Sequence, residues 1–188
     1  MPMSRRVAFL RAINVGGHNV KMDPLKSIFA GMGFARVETF IASGNVIFDA
    51  DGDAAELEAR IERELRAALG YEVATFLRTP TEVAEAAAFV PLAEAVPALS
   101  IGFTRAEPDA EARARLAATE TEVDAFHIRG RELYWSCRVP LSETRMTNAR
   151  LERALGMPVT FRNVTTVRKL AAKYPPAPIP SHRPPENG

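Results

Sequence analysis

Cysteine is nearly absent from this 188-residue chain: Cys137 stands alone, so an intramolecular disulfide is excluded and no cysteine cluster can hold zinc. A reducing compartment, the cytoplasm, is the expected setting. Histidine is almost as scarce, with only His18, His127 and His182, and no HExxH, GxSxG, GxGxxG or P-loop pattern accompanies them. No metal and no cofactor is therefore expected. Long apolar runs are lacking too. Nothing approaches the roughly 18 residues that a spanning helix needs, and the run behind the basic N-terminus, Val7–Leu10, is too short for a signal-peptide core. No membrane association is expected.

A surplus of one charge is also missing, since 24 Lys/Arg against 23 Asp/Glu leave a net +1, which argues against a globally basic nucleic-acid binder. The sum hides an uneven distribution. Residues 1–48 are net +4, residues 49–128 net −10 and residues 129–188 net +7. If the fold joined the two basic ends, a local positive field would steer anions to a site on a nearly neutral protein.

What the chain does have is regular punctuation. Val7–Leu10 reads as a strand before the glycine-bearing loop Asn14–Asn19. Asp23 then suits the N-cap of a helix whose apolar residues Leu25, Ile28, Phe29 and Met32 share one face. Residues 37–42 and 45–48 read as a hairpin joined by the two-residue turn Ser43-Gly44. Asp53 caps a helix with Leu57, Ile61, Leu65 and Leu69 on one stripe, Gly70 ends it, and residues 73–77 form a fourth strand. The order then recurs: strand 99–104, helix 109–118, a hairpin around Arg129-Gly130-Arg131, a helix between Thr147 and Gly156, strand 158–161, and a final helix capped by Asn163.

The expected fold is therefore α+β, two consecutive ferredoxin-like βαββαβ halves with antiparallel sheets, a short connecting helix and a C-terminal helix. The expected boundaries are 1–79 for the first half, 80–98 for a helical connector opening with the capping box Thr79-Pro80-Thr81-Glu82, and 99–174 for the second half. A proline-rich, disordered tail is expected over 175–188. Helices on one face of each sheet leave the other face to be buried by the sister half or by a second chain, and a homodimer is one outcome.

Three segments carry a resemblance: Arg11–Asn19 (RAINVGGHN), Ser43–Phe48 (SGNVIF) and Arg162–Leu170 (RNVTTVRKL). Together, over roughly residues 5–173, the sequence resembles the bacterial domain-of-unknown-function family 1697. The resemblance implies two ferredoxin-like parts and no established activity, cofactor or substrate. The chain departs from the family's usual pattern at Ala12, where glycine is common, at Arg145-Met146, where Lys-Leu is common, and at Val164, where tryptophan is common.

Candidate ligand contacts fall in these segments. Arg11 and Asn14 end and follow the first strand, and a guanidinium forks onto phosphate or carboxylate while an amide fixes orientation. Gly16 and Gly17 bring loop backbone close to an anion or serve a turn. Ser43 and Asn45 stand at the hairpin tip, where turn chemistry also accounts for them. Arg162 and Asn163 precede a helix start that adds its dipole, with an N-cap for Asn163 and a surface or inter-half ion pair for Arg162 as the structural alternatives. His18 is the one general-base candidate. Cys137, Tyr134 and Trp135 are expected to be core residues.

The functional expectation is a cytoplasmic binding protein for a phosphate-bearing ligand, a small molecule such as a nucleotide or a nucleic-acid backbone, at an Arg/Asn cluster between the halves. The alternatives are an enzyme on a phosphorylated or acyl substrate using His18, and a structural or self-assembly module.

Overall fold

The structure is a computed structural model and describes residues 3–14, 17–41, 44–89 and 96–177. The first half comprises β1 (Ser4–Leu10), α1 (Met22–Gly31), β2 (Ala35–Thr39), β3 (Asn45–Ala50), α2 (Ala54–Leu69) and β4 (Thr75–Arg78), followed by α3 (Pro80–Ala88). The second comprises β5 (Ala98–Phe103), α4 (Ala110–Ala117), β6 (Asp124–Arg129), β7 (Glu132–Cys137), α5 (Asn148–Leu155) and β8 (Thr160–Asn163), followed by α6 (Val164–Lys173).

Local chemistry sets most of these boundaries. The Asp53 carboxylate accepts from the backbone N–H of Ala55 at 2.8 Å and so satisfies a donor that the start of α2 leaves open. Gly70, at φ 82°, ends the helix in the left-handed conformation. Thr79 and Glu82 complete a reciprocal capping box on α3, Thr147 caps α5, and Asn163 caps α6.

Two expectations need correction. Helix α1 starts two residues earlier than an Asp23 cap requires: Lys21 takes the extended cap conformation without a side-chain bond, and Asp23 lies inside the first turn, where its charge meets the helix dipole. The first hairpin is also looser than a two-residue turn, because β2 stops at Thr39 and Phe40 N–H donates to Asn45 O at 3.0 Å across the loop. Ile41 in that loop has φ 57°.

Each half forms a four-stranded antiparallel sheet, in the orders β2-β3-β1-β4 and β6-β7-β5-β8. One face of the first sheet is covered by α1 and α2, through Leu25, Phe29, Leu57, Ile61 and Leu65. The matching face of the second is covered around Leu116, Leu151 and Leu155 of α4 and α5. The remaining two faces meet each other. Val7, Phe9, Ile47 and Phe76 pack against Ile101, Phe103 and Tyr134, and the Phe9 and Phe103 rings stack at 3.9 Å. The sister half thus buries the face that the sequence left open between two partners.

The segment expected as a connector shares in this packing. Val83 and Ala87 of α3 join Val167 and Leu170 of α6 in the same inter-sheet core. Pro91, from the expected connector, and residues 178–188 of the expected tail lie outside the described residues.

Candidate functional site

The two halves repeat each other more closely than their element order suggests. Residues 7–12 read VAFLRA and residues 101–106 read IGFTRA. Strand pairing obeys the same alignment: Val7 faces Arg78 across β1–β4, and Ile101 faces Arg162 across β5–β8. Phe9 faces Asn45, and Phe103 faces Glu132. Arg78 and Arg162 are thereby structural twins, as are Glu132 and Asn45.

Each twin arginine crosses from its own half into the other. Arg162 donates from Nε to Asn45 Oδ1 at 2.6 Å, from Nη2 to the carbonyls of Leu10 at 2.9 Å and Gly44 at 3.3 Å, and from Nη1 to Thr160 Oγ1 at 2.9 Å and Phe161 O at 2.8 Å. All five of its N–H donors are thus engaged. Arg78 donates from Nε to Glu132 Oε1 at 2.7 Å and from Nη2 to the carbonyls of Thr104 at 2.8 Å and Arg131 at 3.1 Å. The guanidinium of Arg162 lies over Phe9, and that of Arg78 over Phe103. Burial pushes the Arg162 guanidinium down to about 10, so it remains a cation at neutral pH.

A second pair of twins, Arg11 and Arg105, reaches across at the ends of β1 and β5. Arg11 forks onto Glu152 of α5, with Nε and Nη2 at 2.6 and 2.7 Å from its two carboxylate oxygens. Arg105 ion-pairs with Glu62 and Glu58 of α2. Beside Arg105 a groove of about 640 Å³ opens between the halves. Ala74, Phe76, Ala106, Met157 and Pro158 give it an apolar floor, while Arg63, Arg66 and Arg105 outnumber Glu62 and Glu72 around it. That volume suits a small organic molecule; each guanidinium is ion-paired, Arg63 with Glu64, Arg66 with Glu72 and Arg105 with Glu58 and Glu62, so an anionic ligand is met by exchange with these carboxylates.

The residues named from the sequence are spread around this architecture. Asn45 and Arg162 meet directly, and Asn45 Nδ2 also donates to Phe40 O at 2.9 Å. Arg162, at the head of the third family-like segment, bonds Gly44 and Asn45 of the second and Leu10, which immediately precedes the first. Asn14 Oδ1 accepts from Val20 N–H at 2.7 Å and closes the β1–α1 loop, in which Gly17 has φ 89°. Asn163 Oδ1 accepts from Thr165 N–H at 2.8 Å. His18 is exposed and stacks on Tyr71 at 3.7 Å. Gly16 and Ser43 lie outside the described residues. Cys137, Tyr134 and Trp135 are buried; burial pushes the thiol up, and it carries the Tyr134 phenol to about 12.

Sequence reasoning passed over Arg78, Glu132, Arg105 and the α2 carboxylates. The signal that would have found the arginines is the VAFLRA/IGFTRA repeat, which matches Arg11 with Arg105 and leads, through strand pairing, from Arg162 to Arg78. Among the described residues no group of His, Cys, Asp or Glu is arranged to hold a metal ion, and no helix is long and apolar enough to cross a membrane.

Comparison with solved structures gives a TM-score of 0.70 to a conserved bacterial protein of Streptococcus pneumoniae, at 22% identity over 91% of this chain and 98% of that one. At that identity the likeness establishes the fold. No curated protein matches the sequence. The family model described as "Protein of unknown function (DUF1697)" matches residues 3–134 and takes in the first half, the capping box of α3 and the second sheet as far as Tyr134; the chain belongs to this family.

Proposed function

We infer that the protein binds a small anionic ligand in the groove between its halves, a phosphate-bearing molecule with an apolar or ring-shaped body, and that it works in the cytoplasm. The observation that carries this reading is the pairing of an apolar floor with three arginines around a cavity of about 640 Å³. Arg162 and Asn45 then hold the two walls in register, because the donors of Arg162 are taken up by protein oxygens. Arg63 and Arg66 are largely exposed, and their ion pairs with Glu64 at 3.4 Å and Glu72 at 3.2 Å lie in solvent, where such pairs are weak enough to yield to a phosphate.

The test is a thermal-shift panel of nucleotides, phosphosugars, polyphosphate and short RNA and DNA at low and high salt. Protection by a nucleotide or phosphosugar that survives high salt and is lost in Arg66→Ala supports the groove. Protection by polyphosphate or nucleic acid alone, vanishing at high salt, assigns the binding to a diffuse basic surface. An absence of protection by every anion rejects the reading.

A further inference from the structure

The twin arginines at the ends of β1 and β5 are held differently. Arg11 gives both arms of its fork to the single carboxylate of Glu152. Arg105 is divided between Glu62 and Glu58, the latter at 3.3 Å, and its side chain is half exposed. The two carboxylates have anchors of their own. Glu58 Oε1 accepts from the backbone N–H of Leu77 at 2.8 Å, and Glu62 Oε1 from that of Thr75 at 2.8 Å. The acids are thus tied to β4, and Arg105 is the member of the cluster with room to move. It also lines the groove.

From this asymmetry, and resting on the groove reading above, we propose that Arg105 is a ligand-operated latch: it lies on Glu58 and Glu62 when the groove is empty and turns onto the anionic group of a bound ligand, whereupon Glu58 takes up a proton from solvent. The balance is simple. The ligand anion gains a cation, the Glu58 carboxylate loses one, and a solvent proton joins Oε2 while Oε1 keeps the Leu77 N–H. No other bond is made or broken.

The surroundings of Glu58 make it the group that protonates. It is almost fully buried, faced by Arg105 from the β5–α4 connection, by Arg78 from β4 and by Arg131 from the β6–β7 turn, with Glu62 one turn further along its own helix. Burial holds its carboxyl above the usual range, against the opposing pull of the Leu77 N–H and these cations. Arg78 and Arg131 are occupied by Glu132 and Glu82, so neither replaces Arg105 when it leaves. A ligand whose binding adds a proton to the protein binds more tightly as pH falls.

The full-length protein is titrated with anilinonaphthalene sulfonate, whose sulfonate keeps its charge across the range used, from about pH 8 to about pH 5, and proton uptake is measured by calorimetry in two buffers of different ionisation enthalpy. We expect affinity to rise about three- to tenfold towards the acid end, with net uptake of up to one proton. Glu58→Gln, whose amide oxygen still accepts the Leu77 N–H, should remove the pH slope and retain the tight limb. Arg105→Met should weaken binding at least about tenfold, as expected when a charged hydrogen-bond partner is lost, whereas Arg11→Met should leave the slope unchanged. Binding that ignores pH, with no proton taken up by the wild type, overturns the latch and leaves the groove reading standing; so does a slope that survives in Glu58→Gln. If that variant does not fold, wild-type proton uptake decides the matter. Failure of the dye to bind at any pH overturns both readings.

Discussion

The two buried arginines occupy equivalent places and solve the same problem with different chemistry. Arg78 enters the second half and finds a carboxylate, Glu132; Arg162 enters the first and finds an amide, Asn45. Burial weakens the protonated form of both. At Arg78 the Glu132 charge opposes that effect, whereas at Arg162 burial acts alone. The comparison teaches that what these sites share is geometry: a planar fork spans two strand-end carbonyls and one side-chain oxygen of the opposite half. The fork holds the halves together, and the countercharge is optional.

Removing a fork should produce the largest loss. Arg78→Ala takes the donor from the Thr104 carbonyl and the Glu132 carboxylate, while the Arg131 carbonyl keeps the Thr104 N–H and hydroxyl, and should cost about 3 to 5 kcal/mol. Arg162→Ala leaves only neutral acceptors and should cost less, about 2 to 4 kcal/mol. Urea denaturation of both variants measures the difference; equal losses would mean that the carboxylate adds nothing at Arg78.

Exchanging the partners sharpens the same contrast. Glu132→Gln turns the first site into a copy of the second and should cost about 1 to 2 kcal/mol, the difference between a charged and a neutral hydrogen bond. Asn45→Asp supplies Arg162 with a countercharge, yet it should also destabilise, by about 1 kcal/mol, because the atom facing Phe40 O changes from donor to acceptor. A gain in stability in Asn45→Asp would show that charge outranks hydrogen-bond matching here.

The hairpins beside the two sites differ as well. The turn next to Arg78 places Gly130 at φ 58°, a conformation glycine adopts without cost. The loop next to Arg162 places Ile41 at φ 57°, with its side chain exposed. A β-branched residue is strained there, so Ile41→Gly should raise stability by about 0.5 to 1 kcal/mol, read as a higher urea midpoint. A loss would mean that the exposed isoleucine has a contact worth more than its strain.

Much of this fold was legible because its punctuation is local. Asp53, Thr79, Thr147 and Asn163 cap helices by bonding within three residues of themselves, and Gly70 and Gly156 end helices through their own φ. The first hairpin was misread because Ser43-Gly44 looks like a tight turn, while the register is set by Asn45, whose side chain is committed to Phe40 and Arg162. The arginines were hardest. An arginine in a sequence reads as surface charge, and only the meeting of two sheets buries Arg162 among oxygens from a segment more than a hundred residues away. Its place between the halves was legible; its full occupation by protein atoms was not, because acceptors supplied by backbone carbonyls leave no mark on residue identity.

The smallest effect separates the two sites by pH. Glu82 closes the capping box of α3 and ion-pairs with Arg131, whose carbonyl accepts from Arg78, so it belongs to the Arg78 end. Burial acts to raise its carboxyl, but the Thr79 N–H and Arg131 outweigh that and hold it below the ordinary value of 4.5. A depressed carboxyl contributes stability above its unfolded value and loses it as pH falls through the folded one. Glu82→Gln keeps the capping box, since glutamine serves at that position, and removes only the charge. The stability gap between wild type and Glu82→Gln should therefore stay constant above about pH 5 and close below it, as urea midpoints at a series of pH values would register. In an Arg162→Lys background, which perturbs the end without a carboxylate, the gap should close over the same interval; a displaced interval would mean that the two sites, on opposite sides of the Phe9–Phe103 stack, are electrostatically coupled.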